Sequence, residues 1–372
     1  MFKELERIGK KLTMKLTKYK LGDLIVQRRE KNNNYDVPIR GVSKDGFIPA
    51  KQKEADTSIY NVFYKYDFVF NPARMELNSI ALNLEYDKAL CSSLYEVFYV
   101  KDESVVLPEF LNLHIKRDEF ARHCDYIGLG SAREYCRFAN IADFDIELPP
   151  IEVQEEIVEA DRLIKQSIRL NNQMIQNLEA TAQALYRKTF VDNIDKENLP
   201  EGWRMGTLGN VANIKAGGDK PHDFSEVQTE EYNVPVYANG IDNKGIFGFT
   251  TKPVITAKSI TISARGTIGY CFLRKQPYVP IVRLIVIIPH DENVTQYLFY
   301  YLNNSNIKGS GSVQSQLTVP DMESRGIVIP SPQLILKFNK QVEIIDNSIS
   351  FCEKENEKLT ELQSLLLAKM GQ

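Results

Sequence analysis

The chain has 372 residues, a length that predicts two or more domains. Apolar residues make up 43% and charged residues 26% of the sequence, which is typical of a soluble globular protein, and no apolar run approaches the ~18 residues of a membrane span. The five cysteines form no C-x-x-C pair, which indicates reduced thiols in a cytoplasmic protein and argues against a disulfide framework or zinc site. The formal net charge of −3 argues against strong nucleic-acid binding by this chain alone, unless a partner supplies most of the phosphate contacts.

The N-terminal part of the sequence predicts a short amphipathic segment followed by an α+β domain. Residues 1–20 place apolar side chains at helical spacing among lysines, which favours a helix docked on the first domain over a separate basic DNA-contacting arm. Residues 21–147 alternate short β-like runs with turns. Leu94–Val100, rich in aromatic and β-branched residues, is the clearest predicted strand, and Leu107–Phe120 is predicted as a helix with Pro108 in its first turn.

Residues 148–192 are predicted to form a long spacer helix. Between Ile151 and Phe190 the sequence has no Gly and no Pro, and its apolar residues recur with the spacing of a helix packed against another helix. About 40 residues at ~1.5 Å rise each give a rod of roughly 60 Å, whose apolar stripe would lie in water without a partner helix. The seam residues are Ile157, Ile164, Ile168, Ile175, Leu178 and Leu185.

The sequence repeats itself, and the repeat supplies a partner helix. An offset of 181 residues takes Leu178 to Leu359 and Lys188 to Lys369, with no gap needed along the helix. Residues 329–372 are therefore predicted as the second long helix. Its seam residues are Phe338, Val342, Ile345, Ile349, Leu359 and Leu366.

The second globular half follows the plan of the first with little local identity. Residues 193–202 are a polar linker containing Pro and Gly, and residues 203–328 are predicted as the second domain. Within it, Ile281–Ile288 is predicted as the strand that matches Leu94–Val100. The chain is thus predicted to be a tandem duplication, in which two α+β domains are separated by two long helices that pack as a coiled coil.

Polar side chains interrupt both apolar seams. They are Asp161, Asn171 and Thr189 on the first helix and Cys352, Asn356 and Gln363 on the second. Residues of this kind fix the register and direction of a helix pair at some cost in stability. Partly exposed seam positions would account for them equally well, and the sequence leaves both interpretations open.

No motif in the sequence predicts catalysis or a metal site. An adenine methyltransferase needs an Asn/Asp-Pro-Pro-aromatic pocket and a Gly-rich loop for its methyl donor, whereas residues 71–74 read Asn-Pro-Ala-Arg and no such loop precedes them. The Gly-Lys pair at 9–10 has neither the preceding strand nor the spacing of a phosphate-binding loop. The four histidines show no metal-ligand spacing. We therefore expect a non-catalytic chain with no cofactor and no metal of its own.

The loops of both domains offer residues suited to DNA contact. Base edges are read by Arg, Lys, Asn and Gln on loops that enter a groove. Arg265 is the best single candidate, because the glycines at 266 and 269 let backbone approach a partner closely, although a solvated turn arginine is an equal alternative. The predicted DNA contacts are Arg28, Arg29, Lys31, Arg40, Lys44, Arg74 and Arg133 in the first half and Lys215, Lys220, Lys244, Arg265, Lys308, Gln314 and Gln316 in the second.

Four stretches of the sequence carry a resemblance to a known family. They are Leu148–Gln154 leading into the first long helix, Asn177–Asp192 at its end, Leu199–Trp203 opening the second half, and Gly309–Ser312 before the second long helix. In this order the chain resembles, over nearly its whole length, the specificity (S) subunit of type I restriction–modification systems. It departs from the pattern at Pro332–Ile335, where Pro-Gln-Leu-Ile replaces the usual Pro-Leu-x-x-Gln.

The resemblance implies a DNA-reading function. Each domain would be a target recognition domain for half of a split double-stranded DNA site, and the long helices would pack antiparallel as a spacer. Two methyltransferase subunits, which bind S-adenosylmethionine, would dock on the helices, and restriction subunits that use ATP and Mg would be further partners. Two other interpretations stay open: a structural scaffold without nucleic acid, and a recognition portion detached from a fused restriction–methylation enzyme.

Overall fold

The structure is a computed structural model of the chain. It describes residues 16–50, 56–128, 135–192, 194–195, 197–305, 307 and 316–370. Most of the segment predicted for residues 1–20 lies outside the described residues, and so do the candidate DNA contacts Arg133, Lys308 and Gln314.

The chain divides into two compact units. Unit 1 comprises Met1–Leu170 and Lys354–Gln372, and unit 2 comprises Asn171–Glu353. Each unit therefore contains one globular half of the sequence and part of both long helices. The finer division into recognition domains, spacer helices and linker stays a prediction.

Unit 1 combines three small sheets with short helices. Its strands are β1 (Thr17–Lys20), β2 (Ile25–Arg28), β3 (Ile39–Ser43), β4 (Gly46–Pro49), β5 (Asn61–Tyr64), β6 (Phe68–Phe70), β7 (Ile80–Leu82), β8 (Lys88–Cys91), β9 (Glu96–Val100) and β10 (Asp145–Leu148). Its helices are α1 (Leu21–Leu24), α2 (Pro108–Ile115), α3 (Asp118–Gly128), α4 (Phe138–Ala142) and the first part of α5 (Ile151–Phe190). The strand orders are β2-β9-β6-β7, β4-β3-β8-β5 and β1-β10.

Unit 2 repeats this arrangement. Its strands are β11 (Arg204–Thr207), β12 (Ala212–Ala216), β13 (Val234–Tyr237), β14 (Ile246–Thr250), β15 (Ser259–Ile262), β16 (Cys271–Arg274), β17 (Val279–Pro280), β18 (Ile285–Pro289) and β19 (Gly326–Ile329). Its helices are α6 (Leu208–Val211), α7 (Thr295–Asn304), α8 (Val319–Glu323) and the first part of α9 (Pro332–Lys369). The strand orders are β12-β18-β15-β16, β14-β13-β17 and β11-β19.

The duplication extends to the sheet topology. Strands β2, β9, β6 and β7 of unit 1 correspond in order to β12, β18, β15 and β16 of unit 2, and β4, β3 and β8 correspond to β14, β13 and β17. The antiparallel ribbon that leads into each long helix is also repeated, with Thr17 opposite Leu148 in unit 1 and Arg204 opposite Ile329 in unit 2. The predicted mixed α and β fold with an internal duplication is confirmed.

Two predicted elements are wrong in detail. The helix predicted at Leu107–Phe120 is two helices, because Lys116 lies between α2 and α3 and its Nζ donates to the carbonyls of Lys44 and Ile80, both at 2.9 Å. The strand predicted at Ile281–Ile288 begins only at Ile285, because residues 281–284 form a turn between β17 and β18 in which N–H groups bond to the carbonyls of Gly217 and Gly218. In both cases a contact distant in sequence overrides the local propensity.

The ends of the two long helices are part of the domain cores. In unit 1 the buried core around β9 includes Val153 and Ile157 of α5. In unit 2 Tyr186 and Phe190 of α5 lie in the core with Phe338 of α9, and the Phe190 and Phe338 rings meet edge to face at 5.0 Å. Each buried aromatic or aliphatic side chain contributes about 1.5–3 kcal/mol, so the helices are anchored by the same burial that holds the sheets.

The two long helices pack antiparallel in each unit. In unit 1 Ile164 packs against Leu359 and Leu362. In unit 2 Phe338 packs against Phe190, and the Cys352 thiol lies 3.7 Å from the sulfur of Met174. Partner numbers on α9 fall as numbers on α5 rise, which confirms the predicted antiparallel pair.

The predicted seam residues fall into two classes by burial. Those near the helix ends are buried: Ile157, Ile164, Phe338, Val342, Leu359 and Leu366. Those nearer the middle, and Leu185, are half-buried: Ile168, Ile175, Leu178, Leu185, Ile345 and Ile349. The sequence missed Tyr186 and Phe190, which are more buried than Leu185 because they point into the core of unit 2.

One buried polar seam residue is bonded across the helices. Asp161 is only 6% exposed, and its Oδ1 accepts a 2.7 Å hydrogen bond from Gln363 Nε2. Lys165 pairs with the other carboxylate oxygen at 2.7 Å. A buried carboxylate needs these partners, so the pair favours the register-fixing interpretation for Asp161 and Gln363. Thr189, by contrast, bonds within its own helix to the Leu185 carbonyl at 2.7 Å.

Candidate nucleic-acid interface

A cavity in unit 1 brings together three of the predicted DNA contacts. It has a volume of about 1160 Å³ and is lined by the β3–β4 hairpin, by the 3-10 turn at Pro72–Leu77 and by the β8–β9 turn. Arg40, Lys44 and Arg74 lie on its lining, together with the exposed side chain of Leu94. The basic groups suit phosphates and base edges, and the lining also carries the carboxylates of Asp45, Glu76 and Asp118.

Arg40 is held in place by one side of its guanidinium. Its Nε donates to the Tyr86 hydroxyl at 2.8 Å, and its Cζ lies 4.9 Å from the Tyr86 ring centroid. Its Nη1 donates to the Ile39 carbonyl at 3.2 Å. An arginine fixed in this way keeps further N–H donors for a ligand and loses little entropy on binding.

Arg28 and Lys31 are bonded within unit 1. Arg28 donates from Nε and Nη2 to the Asp67 carboxylate at 2.6 and 3.0 Å, and its guanidinium lies between the rings of Tyr64 and Tyr99. Burial raises the pKa of Asp67, and Arg28 opposes that rise. Lys31 Nζ donates to Asn61 Oδ1 at 2.7 Å. These contacts favour a structural role for Arg28 and Lys31 over base contact.

The predicted residues of unit 2 are arranged differently. Lys220 places its ammonium 3.5 Å from the Phe224 ring centroid, and Lys244 pairs with Glu353 of α9 at 2.5 Å. Lys215 lies exposed on β12, and Gln316 is also exposed. The structure therefore does not gather these side chains into one cavity, and their roles in DNA contact stay predictions.

Arg265 lies on a well-defined loop between β15 and β16. The loop is closed by a bond from Gly269 N to the Ser263 carbonyl at 2.9 Å, and Gly266 and Gly269 have positive φ angles of 67° and 91°. Arg265 itself is exposed. Its counterpart in unit 1 is Arg74, which lies in the corresponding connection between β6 and β7.

Most of the chain matches one protein family. Residues 11–180 and 200–364 each match the family model described as the type I restriction modification DNA specificity domain. The chain belongs to this family. It is a specificity chain with two DNA recognition domains, and recognition of a DNA sequence is its function.

Similar proteins carry the same description. A putative type I specificity subunit of Mycoplasma pneumoniae is 31% identical over 262 residues, which cover 67% of this chain and 75% of that protein. The specificity subunit of the HindI type I restriction enzyme of Haemophilus influenzae is 22% identical over 354 residues, covering 72% and 77% of the two chains.

Solved structures show the same fold. The S subunit of a type I restriction–modification system from M. genitalium has a TM-score of 0.58 at 16% identity, with 96% of each chain covered. A chain from a structure concerned with complex assembly and conformational transition of a type I system has a TM-score of 0.53 at 18% identity, with 97% of each chain covered.

Two of the candidates for catalysis or metal binding have structural explanations in this specificity chain, whereas the Gly-Lys pair at 9–10 lies outside the described residues. The Asn71 side chain accepts a bond from the Ala73 N–H at 3.1 Å, which caps the 3-10 turn at Pro72–Leu77. Burial, aided by the charge of Arg117, lowers the pKa of His114 to about 3, so this imidazole stays neutral near pH 7. Across the described ranges, no group of three or more His, Cys, Asp or Glu could hold a metal ion, and no helix could span a membrane.

Sequence reasoning missed one exposed arginine of unit 2. Arg283 lies in the turn between β17 and β18, in a run of apolar residues that predicts a continuous strand. Neither Val282 nor Arg283 is a residue type that signals a turn, although both adopt positive φ angles, of 53° and 58°. The preceding Pro280 was the one local signal of a break.

The geometry predicts that Arg28 stabilises unit 1. Arg28→Ala would leave the Asp67 side chain, which is 3% exposed, without its cation, and we expect a loss of about 3 kcal/mol in the free energy of unfolding of unit 1. Hydrogen exchange of peptides from β2, β5 and β6 measures this loss. The matched control is Arg29→Ala, an exposed neighbour for which we expect a change within about 0.5 kcal/mol. Equal protection in the two variants would contradict the structural role.

Proposed function

We propose that the chain reads a bipartite double-stranded DNA site, with one half-site for each recognition domain. The observation that carries the proposal is the repeated placement of an exposed arginine. Arg74 and Arg265 lie in corresponding connections of corresponding sheets, whereas the residues around them differ. Two domains with one frame and different loops are suited to reading two different short sequences.

The chemistry belongs to partner subunits. Two methyltransferase subunits bind S-adenosylmethionine and receive the adenine flipped out of the duplex, while restriction subunits with ATP and Mg cut DNA. This chain contributes position and sequence choice without a catalytic step, and it works in the cytoplasm with the DNA. Its net charge of −3 agrees with a division in which partners make many of the phosphate contacts.

The function is tested by coexpressing the chain with a type I methyltransferase encoded beside it and mapping modified adenines across the host DNA. We expect a split motif, with two short half-sites and a fixed unspecified gap. Exchanging residues 21–147 for another recognition domain should change one half-site and keep the other. An assembled complex that adds no new methylation would contradict DNA reading and favour a structural scaffold.

The long helices are proposed to set the gap between the half-sites. Supporting this, α5 contributes buried residues to both cores, with Ile157 in unit 1 and Tyr186 in unit 2. The α9 helix likewise contributes Leu366 to unit 1 and Phe338 to unit 2.

Shortening both helices by about one turn should shorten the gap. Deleting Gln173–Gln176 together with the equivalent Lys354–Glu357 removes ~6 Å of rise, or roughly two base pairs at ~3.4 Å each. We expect both half-sites to remain readable with fewer base pairs between them, as measured by methylation mapping. The matched control replaces the same eight residues by alanine, which keeps the length of both helices and should keep the gap. An unchanged gap in the deletion variant would refute the spacer role.

The exposed faces of the long helices are proposed to dock the methyltransferase subunits. On α9, Ile344 and Phe351 are 70% and 69% exposed and lie seven residues apart, so they share one face of the helix. Large apolar side chains in water on a helix otherwise rich in charged residues suit an interface core.

Charges on this face should weaken docking. Ile344→Glu with Phe351→Glu should reduce copurification of the methyltransferase at least tenfold while the fold persists, because carboxylates would be buried in the contact. Fluorescence of Trp203, the single tryptophan, reports on unit 2 because its ring packs on that core. The control pair Asn213→Glu and Gln228→Glu adds the same charge at exposed positions on the globular part of unit 2, away from this helix face, and should leave docking intact. Full copurification with the first pair would place the docking face elsewhere.

A further inference from the structure

The turn between β17 and β18 has an unusual backbone. Val282 and Arg283 are consecutive residues with φ angles of 53° and 58°. This left-handed region is unfavourable for residues with a Cβ, and for a β-branched residue such as valine most of all. Such conformations persist where surrounding contacts enforce them, and they concentrate at functional sites.

Hydrogen bonds to two glycines enforce the turn. Val282 N–H donates to the Gly218 carbonyl at 2.8 Å, and Arg283 N–H donates to the Gly217 carbonyl at 3.2 Å. Leu284 N–H closes the turn on the Ile281 carbonyl at 3.0 Å. A Cβ on Gly217 would lie 2.7 Å from the Pro280 carbonyl carbon, so this close approach requires glycine.

One side chain joins this turn to the Arg265 loop. Asn239 Nδ2 donates to the Val282 carbonyl at 2.8 Å, and Asn239 Oδ1 accepts from the Ala264 N–H at 2.7 Å. Both ends of a single amide group are thus used, one on each loop. Arg265 and Arg283 each follow directly after a residue that this amide holds.

The two arginines are free to bind a ligand. Both are exposed, and in the described part of the chain neither guanidinium takes part in an ion pair or a side-chain hydrogen bond. This distinguishes them from Arg274 of the same unit, which is 4% exposed and bonded to Thr261 and to the Lys244 carbonyl. Their backbones are fixed while their side chains remain available.

We propose that Arg265 and Arg283 are the base-reading pair of the second recognition domain, and that Asn239 is a positioning residue for both. This assignment rests on the proposed function. Each guanidinium donates to O6 and N7 of a guanine in the major groove. The second half-site therefore contains at least two G·C pairs. The fixed loops favour this role, because a bidentate contact to a base requires that the backbone of each arginine be held at a defined position.

The first domain repeats part of the arrangement. Its β8–β9 connection corresponds to the β17–β18 turn and carries Leu94, which is 74% exposed. Arg74 and Leu94 line the same cavity, as the loop and turn of unit 2 share Asn239. The same two connections therefore converge in both domains, with an arginine on only one of them in the first. We accordingly expect the two half-sites to differ in guanine content.

The test is methylation mapping with the assembled complex, comparing wild type with Arg265→Ala, Arg283→Ala, Arg283→Lys and Asn239→Ala. Each arginine variant should lose about 10- to 100-fold discrimination at one G·C position of the second half-site, with the first half-site unchanged. Arg283→Lys should lose less discrimination than Arg283→Ala but fall short of wild type, because a lysine can still donate to a guanine but lacks the planar fork of a guanidinium. Asn239→Ala should relax both positions together.

Controls separate folding from reading. Trp203 fluorescence confirms that unit 2 is folded in each variant, and Lys252→Ala, which removes an exposed cation from the same domain, should leave the motif unchanged. A wild-type second half-site without two G·C pairs would overturn the inference while the proposed function stands. So would an unchanged motif in Arg283→Ala, which would indicate that Arg283 contacts a phosphate and not a base. If the wild-type complex itself produced no split motif, the proposed function would fail first.

Discussion

The apolar seam of the two long helices is the constraint on which this fold depends. A helix of the length of α5 with a continuous apolar stripe is unfavourable in water unless a partner covers the stripe. The repeat supplies that partner as α9, and the antiparallel pairing lets each helix end enter a core: Ile157 and Leu366 in unit 1, Tyr186 and Phe338 in unit 2. Helix pairing and domain folding are therefore coupled, since the same side chains serve both.

Arginine has two separate uses in this chain. Some arginines are hydrogen-bonded within the protein. Arg28 donates to the Asp67 carboxylate, and Arg274 donates to the Thr261 hydroxyl and the Lys244 carbonyl. Burial lowers the pKa of Arg274, and its stacking on Tyr237 at 3.5 Å offsets part of that cost. Exposed arginines on loops, such as Arg74 and Arg265, are those that we propose to contact DNA. A list of basic residues in the sequence cannot make this distinction, because partners such as Asp67 lie far away along the chain.

The sequence predicts the long elements well and the turns poorly, for physical reasons. Periodicity over forty residues averages out local exceptions, so the bounds of α5 and its pairing with α9 follow from pattern alone. Arg283 is different: an apolar run predicts a strand, and only the carbonyls of Gly217 and Gly218, some 65 residues earlier, convert it to a turn. Leu185 is predicted in the seam, but Tyr186 is the buried residue, because side chains of the globular core cover that end of α5 together with Phe338 of α9.

The way the two loops that we propose to read DNA are held bears on how the sequence preference of such a domain would change. Main-chain carbonyls of Gly217 and Gly218 fix the β17–β18 turn. The two shortest hydrogen bonds of the Asn239 side chain both go to backbone groups, the Val282 carbonyl and the Ala264 N–H. The side chains at 265 and 283 contribute nothing to these bonds. Their identity is thus decoupled from the stability of the loops that carry them, so a different base preference requires a new side chain and no new fold. Retaining the glycines and Asn239 while exchanging the residues beside them is the route by which the second domain would come to read a different half-site.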